Sequence, residues 1–449
     1  MANLISEAAA RTLCSRALSH VSTEAALVQI TARNHGNTRA AANAITSSGD
    51  VTDMALTLTA QHGRRTASVR LNQTDDRALA EAGQRVQMLV EYAPEDPELL
   101  PPLEQPAYGS VEAFFSSTDD LDADARADAA AVLVSRAAAA GLIASGFVDR
   151  HAMAKVVANS AGLFAFHRST LASFTMAVRS TSGDGSGWAG TIHNDWARMT
   201  PADMLADRAI DKARRSQDAE RIEPGSYTVV LEPTAVGDLV SLLRSALDAQ
   251  MVAEGRSRFS RPGGGDLIGE RVADERITLY SDPADEDLLE QPFTDTGEPV
   301  GKTVWIEDGI LRTLGYSRYW AEREGVAPVP VAGGLKLSGG TADLQTLINS
   351  VERGVLVTRL GSIRAIDPRR LQYTGLTRDG TFLIENGQVM SAVKNLRFSE
   401  SLLGMLNRID QVGIAERVVA SESGVPGPAI VVPPLVVRDF RFTSVLDAA

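Results

Sequence analysis

Residues 381–393, TFLIENGQVMSAV, constrain the fold of this chain more than any other stretch. Apolar and β-branched residues flank Asn386-Gly387, the dipeptide that most readily supplies the two positive φ angles of a tight hairpin turn. A second such arrangement, TVWIEDGILRTL, sets Asp308-Gly309 between Val304-Trp305-Ile306 and Ile310-Leu311. Two hairpins predict a C-terminal half rich in β-structure. Just ahead of the first hairpin motif, IRAIDPRRLQYTGLTRDG carries Arg364, Asp367, Arg369, Arg370, Arg378 and Asp379. That is more charge than a link between buried strands requires, and the ordinary reading of such a run is a solvated loop.

With 449 residues the chain exceeds the usual span of one hydrophobic core, so two domains are expected. The boundary is placed at Glu223-Pro224-Gly225, giving units 1–222 and 223–449, because a fresh strand, Tyr227 to Leu231, begins there. A single cysteine, Cys14, excludes an internal disulfide and a Cys-based zinc knuckle, and fits a reducing compartment. The opening MANLISEAAARTLCSRALSH reads as a polar, alanine-rich helix without the basic start and unbroken apolar run of a signal peptide. No run of roughly eighteen apolar residues suggests a membrane span. A cytoplasmic location is therefore expected. A net charge of −13 and only 5% aromatic residues argue against a nucleic-acid partner, since such binding rests on clustered Lys and Arg and on stacking rings.

Along the N-terminal half, residues 25–31, 53–59 and 66–71 alternate as strands, with the turn-rich GNTRAAANAITSSGDV between the first two. Leu79, Ala82, Val86, Leu89 and Val90 recur at helical spacing after Asp75 or Asp76 as N-cap. APEDPELLPPLEQP is an extended, proline-broken connector. A long helix follows within 119–144, with acids at its start and Gly141 at its end. MAKVVANSAGLFAFHRS and LASFTMAVRSTSGDGSGWAG then predict a further hairpin, and PADMLADRAIDKARRS another helix.

The six histidines, His20, His35, His62, His151, His167 and His193, all precede residue 200. None is joined to another His, Glu or Cys at a ligand spacing within the sequence, so each reads as structural or superficial. Ser186 with His193 is the only hint of a nucleophilic pair, and GDGSG lacks the strand-turn-helix context and glycine spacing of a nucleophile elbow. Pro262-Gly263-Gly264-Gly265 lacks the Lys and Ser/Thr of a phosphate loop and reads as flexible. From about Ala235 to Val252, Val236, Leu239, Val240, Leu243, Ala246, Leu247 and Met251 form one apolar face, predicting a single buried scaffold helix.

Taken together, these segments resemble the TldD/PmbA family of peptidase proteins. The resemblance rests on GNTRAAANAITSSGDV and APEDPELLPPL, on GLFAFHRSTLASFTMAVRSTSGDGSGWA, and on LQYTGLTRDGTFLIENGQVMSAVKNLRFSESLLGML. It implies an α+β fold, with an α/β N-terminal domain of helices on a curved sheet and a β-rich C-terminal domain. In the family's catalytic subunits a helix after the interdomain strand bears H-E-x-x-x-H, and a late cysteine completes a zinc site. Anchored on Gly255-Arg256-Ser257-Arg258-Phe259, those positions fall here on Val240, Ser241 and Ser245, and the late region reads SESGVPGPAIVVPPL. An alkyl group and two neutral hydroxyls cannot hold Zn²⁺ competitively. The resemblance thus implies a TldE/PmbA-type subunit without metal or catalytic residues of its own, paired with a zinc-bearing TldD-like partner. Such an assembly would act on unstructured peptides or leader sequences, and this chain would shape the chamber that encloses them. Arg364, Asp367, Arg369, Arg370, Arg378 and Asp379 are then candidates for contact with extended peptide or partner. A self-sufficient hydrolase and a homodimeric peptide-binding scaffold are the alternatives, the homodimer also being a state open to the isolated subunit.

Overall fold

β1 (Ala25–Ala41), which alternates between buried and more open positions, and β2 (Ala44–His62) form a long hairpin arm, paired from Ala25↔Gln61 out to Ala41↔Ala44. The computed structural model describes residues 4–331, 333–419 and 427–446. The arm turns through Ala42 and Asn43, at φ 49° and 60°, so the segment read as turn-rich is almost wholly strand. Its small and polar residues serve an exposed ladder, in which turn formers and strand residues look alike locally.

β3 (Arg65–Leu71), β4 (Ile143–Asn159), β5 (Phe164–Arg179) and β6 (Ser186–His193) complete a six-stranded antiparallel sheet ordered β3-β2-β1-β4-β5-β6. The segments expected to form one hairpin supply three of these strands. α1 (Glu7–Ser19) and α2 (Asp76–Glu91) cover one end of a single face, burying Leu13, Leu79 and Val86 against Val28, Ile30 and Leu58. The expected cap is present, since the Asp75 side chain accepts from the Ala78 amide. After the single turn α3 (Ser116–Asp119), α4 (Ala123–Ala139) and α5 (Ala202–Arg215) cover the other end through Leu133, Leu205 and Ile210. With side-chain period two, the opposite face of β1 presents Gln29, Thr31, Arg33, His35 and Asn37, none of them fully buried.

β7 (Gly225–Leu231) opens the second half and lies between strands 353–367 and 435–445 in a seven-stranded sheet. A smaller six-stranded sheet packs beside it, and both predicted hairpins are present. Asn386 and Gly387 have φ 49° and 74°, and Asp308 and Gly309 have 49° and 76°. The stretch read as a solvated loop is instead a strand pair, 353–367 against 372–385, closed by a short turn over Pro368–Arg370. Arg364 and Arg378 lie on exposed strand positions and Arg369 and Arg370 on the exposed turn, while Leu360, Tyr373 and Thr377 face inward. The molecule is therefore α+β. No described helix is long and apolar enough to cross a membrane.

Candidate functional site

The predicted scaffold helix is broken into three pieces. α6 (Pro233–Val240) passes into a 3₁₀ stretch, Ser241–Leu247, and after the extended Asp248 a short α7 (Ala249–Ala253) begins. The apolar periodicity foresaw the buried face but not the break. Ser241 and Ser245 donate from their hydroxyls to the carbonyls of Asp238 and Leu242, three residues back, and such local bonds compete with regular α-helical pairing.

Val240 is 1% exposed within the core, Ser241 is half-buried and Ser245 is exposed. These positions face different surroundings and offer no nitrogen, thiolate or carboxylate, so they do not fit a zinc ion. The carboxylates that flank the stretch in sequence, Asp238 and Asp248, are engaged elsewhere. Asp238 accepts from the Leu360 amide at 3.1 Å and Asp248 caps the Met251 amide at 2.8 Å. Residues 421–426 of the late region lie outside the described residues.

Next to this stretch, charge is held by arginine. Arg244 donates to the Gly333 carbonyl, and burial pushes its guanidinium down, with Glu290 opposing. Burial likewise raises the Glu290 carboxyl, against the Ala429 amide, Arg244 and Arg417. Arg417 is pushed down to about 10 by burial, and it donates at 2.6 Å to Asn194 Oδ1 from the first half of the chain.

The six charged candidates separate into two places. Arg364, Asp367, Arg369 and Arg370 gather at the far end of the strand pair, where Asp367 accepts from the Arg369 amide at 3.0 Å and lies 3.5 Å from the Arg370 guanidinium. Arg378 and Asp379 sit mid-strand. Arg378 is exposed, whereas Asp379 pairs at 3.6 Å with Arg359, both side chains being at most 15% exposed. The Arg359 guanidinium in turn covers the Trp188 ring of β6. Asp379 thus belongs to the seam between the halves, while the other five are open to solvent or near it.

Ser186 and His193 stand at opposite ends of β6, about 23 Å apart at roughly 3.3 Å per residue. No proton can pass directly between them. His193 is also occupied, accepting the Asp195 amide on Nδ1, and burial first, then Arg417 and Arg198, lowers it to about 4.

A different group of side chains does converge. His35 on β1 lies directly across from His151 on β4, and Asp149, two residues before His151, projects on the same side. The imidazoles stack with centroids 4.3 Å apart and planes 2° from parallel. His151 Nε2 is 2.7 Å from one Asp149 carboxylate oxygen, and His35 Nε2 contacts the other. Asp149 is 4% exposed, His151 15% and His35 26%. Burial raises the Asp149 carboxyl, but hydrogen bonds to and charge on His151 and His35 outweigh it, and the net shift is downward. Sequence reading missed this group because its members are 114 residues apart. The one local signal was Asp-x-His on a strand, which places both side chains on one face.

The PmbA/TldA metallopeptidase central domain matches residues 114–217, and the C-terminal domain of the same family matches 224–444. A metalloprotease of Methanocaldococcus jannaschii is 27% identical over 224 residues, 46% of this chain and 48% of that protein. The chain thus spans about half the length of that relative. Metalloprotease PmbA of Escherichia coli O157:H7 is 24% identical over 387 residues, 80% of this chain and 81% of its own. The crystal structure of TldE from Thermococcus kodakarensis superimposes with a TM-score of 0.83 at 16% identity, covering 97% of this chain and all of that one, which establishes the shared fold. With its two matched domains together spanning most of its length, the chain belongs to the PmbA/TldD metallopeptidase family.

Proposed function

We propose that this chain is the non-catalytic subunit of a two-subunit peptidase, partnered by a TldD-like protein that carries the hydrolytic zinc. The observation that supports this reading most is the occupancy of the motif positions by Val240, Ser241 and Ser245. A hydrolytic zinc needs about three nitrogen, sulfur or carboxylate ligands and an open position for water, and a core valine with two hydroxyls provides none of them. The chain's contribution is then to bind and enclose substrate. The polar face of the N-terminal sheet, from Gln29 to Asn37, and the charged end of the 353–385 strand pair offer polar and charged side chains to an extended, unstructured peptide.

The test is turnover of an unstructured fluorogenic peptide by the purified chain with added Zn²⁺, alone and after mixing with a TldD-like protein. No turnover alone and turnover in the mixture, with co-elution of the two chains, is the expected result. Turnover by this chain alone would mark it as a hydrolase. A stable homodimer that binds peptide and ignores the zinc-bearing protein would mark it as a scaffold.

A further inference from the structure

We propose that His35, Asp149 and His151 form a binding site for a divalent transition-metal ion, with Zn²⁺ the best fit, on the polar face of the N-terminal sheet. The three side chains each offer one ligand atom, and these atoms lie within 4.8 Å of one another. Among the described residues no other group of three or more His, Cys, Asp or Glu does so.

The donor set is two imidazole nitrogens and one carboxylate oxygen, which suits Zn²⁺ and its neighbours rather than Ca²⁺ or Mg²⁺, whose sites are built from oxygen. Both histidines present the same atom, Nε2, to the same carboxylate. Metal entry requires each Nε2 to present its lone pair, with the ring proton on Nδ1. It also requires the rings to tilt from parallel, by rotation about side-chain bonds, so that the two lone pairs meet.

The support beneath the cluster is rigid. Gly36 leaves room on the helix-covered face for Arg126, since a Cβ there would lie 2.3 Å from the guanidinium. Arg126 is fully buried and pairs with Asp50 at 2.8 Å. Arg150, between Asp149 and His151, is buried on that same face and pairs with Asp119 at 2.9 Å. Ligands on paired strands held from behind are placed more closely than ligands on loops. Above the cluster, His35 is 26% exposed, so the remaining coordination positions face the surface proposed to bind peptide. The site is separate from the motif stretch, and it stands or falls without regard to a catalytic partner.

The experiment is a titration of the chelator-stripped full chain with Zn²⁺ against a chromophoric indicator, and with Co²⁺ followed by its d–d absorption. One equivalent should bind per chain. Affinity should fall by more than about tenfold in His35→Ala and in Asp149→Asn, as losses at metal sites typically do, and should be unchanged in the exposed-histidine control His62→Ala. Circular dichroism of each variant separates lost ligation from lost folding. Anomalous scattering at the zinc edge from soaked wild-type crystals gives a readout free of substitutions, with the expected peak between His35, Asp149 and His151. No stoichiometric binding, binding unchanged in a folded His35→Ala/His151→Ala double variant, or a peak elsewhere would overturn the proposal.

Discussion

Arg359 lies over the indole of Trp188, its guanidinium carbon 4.7 Å from the ring centroid, joining a strand of the C-terminal sheet to the last strand of the N-terminal one. Trp188 is 8% exposed and packs with Ile192 and Val419, so the contact is made away from water, where a cation over an aromatic face is strongest.

Trp188→Ala should therefore destabilise the protein by about 3–5 kcal/mol, the usual cost of truncating a buried large aromatic residue. A double-mutant cycle with Arg359→Met should return a coupling of roughly 0.5–2 kcal/mol. Urea unfolding of the four proteins measures both quantities. A coupling indistinguishable from zero would make the ring stacking incidental.

Gly36→Ala tests the floor of the histidine cluster. A methyl group there would meet Arg126 and Asp50 at 2.3 Å, and relieving such a clash by shifting a fully buried arginine costs roughly 1–3 kcal/mol. Thermal unfolding should show the loss. An unchanged midpoint would mean that Arg126 has free space to retreat.

His167 sets a pH dependence. It is 8% exposed and its Nε2 has no hydrogen-bond partner, and burial lowers its pKa from 6.5 to about 4. Between those values the unfolded chain binds a proton that the folded chain does not, so stability falls as pH falls through this window. The slope is about 1.4 kcal/mol per pH unit for one such residue. His193, also lowered to about 4, adds a similar contribution. Unfolding free energies at pH 7, 6 and 5 should decline, and the decline should be shallower in His167→Leu.

Installing His, Glu and His where the resemblance places the family motif should not create a zinc site there. Val240→His places an imidazole where the side chain is 1% exposed, and an unpaired polar group there costs about 1–3 kcal/mol. In the triple variant Val240→His/Ser241→Glu/Ser245→His, position 245 still faces outward while 240 faces the core. The expected result is a lowered melting temperature with no additional equivalent of Zn²⁺ bound. Tight binding of an extra equivalent would show that the stretch can rewind into a single helix.

Local chemistry made much of this molecule legible from the chain. Asn386-Gly387 and Asp308-Gly309 form their turns because glycine and asparagine or aspartate tolerate the positive φ such turns demand. Asp75 caps the helix it precedes, because a short acceptor side chain reaches the free amides of the first turn.

Where sequence alone fell short, the deciding interactions were remote. The charged run at 363–380 resembles a loop because its polar residues satisfy the solvent side, and only pairing of 353–367 with 372–385 makes it a strand. The apolar face of 235–252 fits one helix, and the break at Ser241–Leu247 shows only in the folded chain. Above all, His35 meets Asp149 and His151 through the register of β1 against β4. Residue types and turn chemistry were set locally by the chain. The meeting of those three side chains was decided by strand register, which depends on burying whole faces at once and is invisible to any short window of sequence.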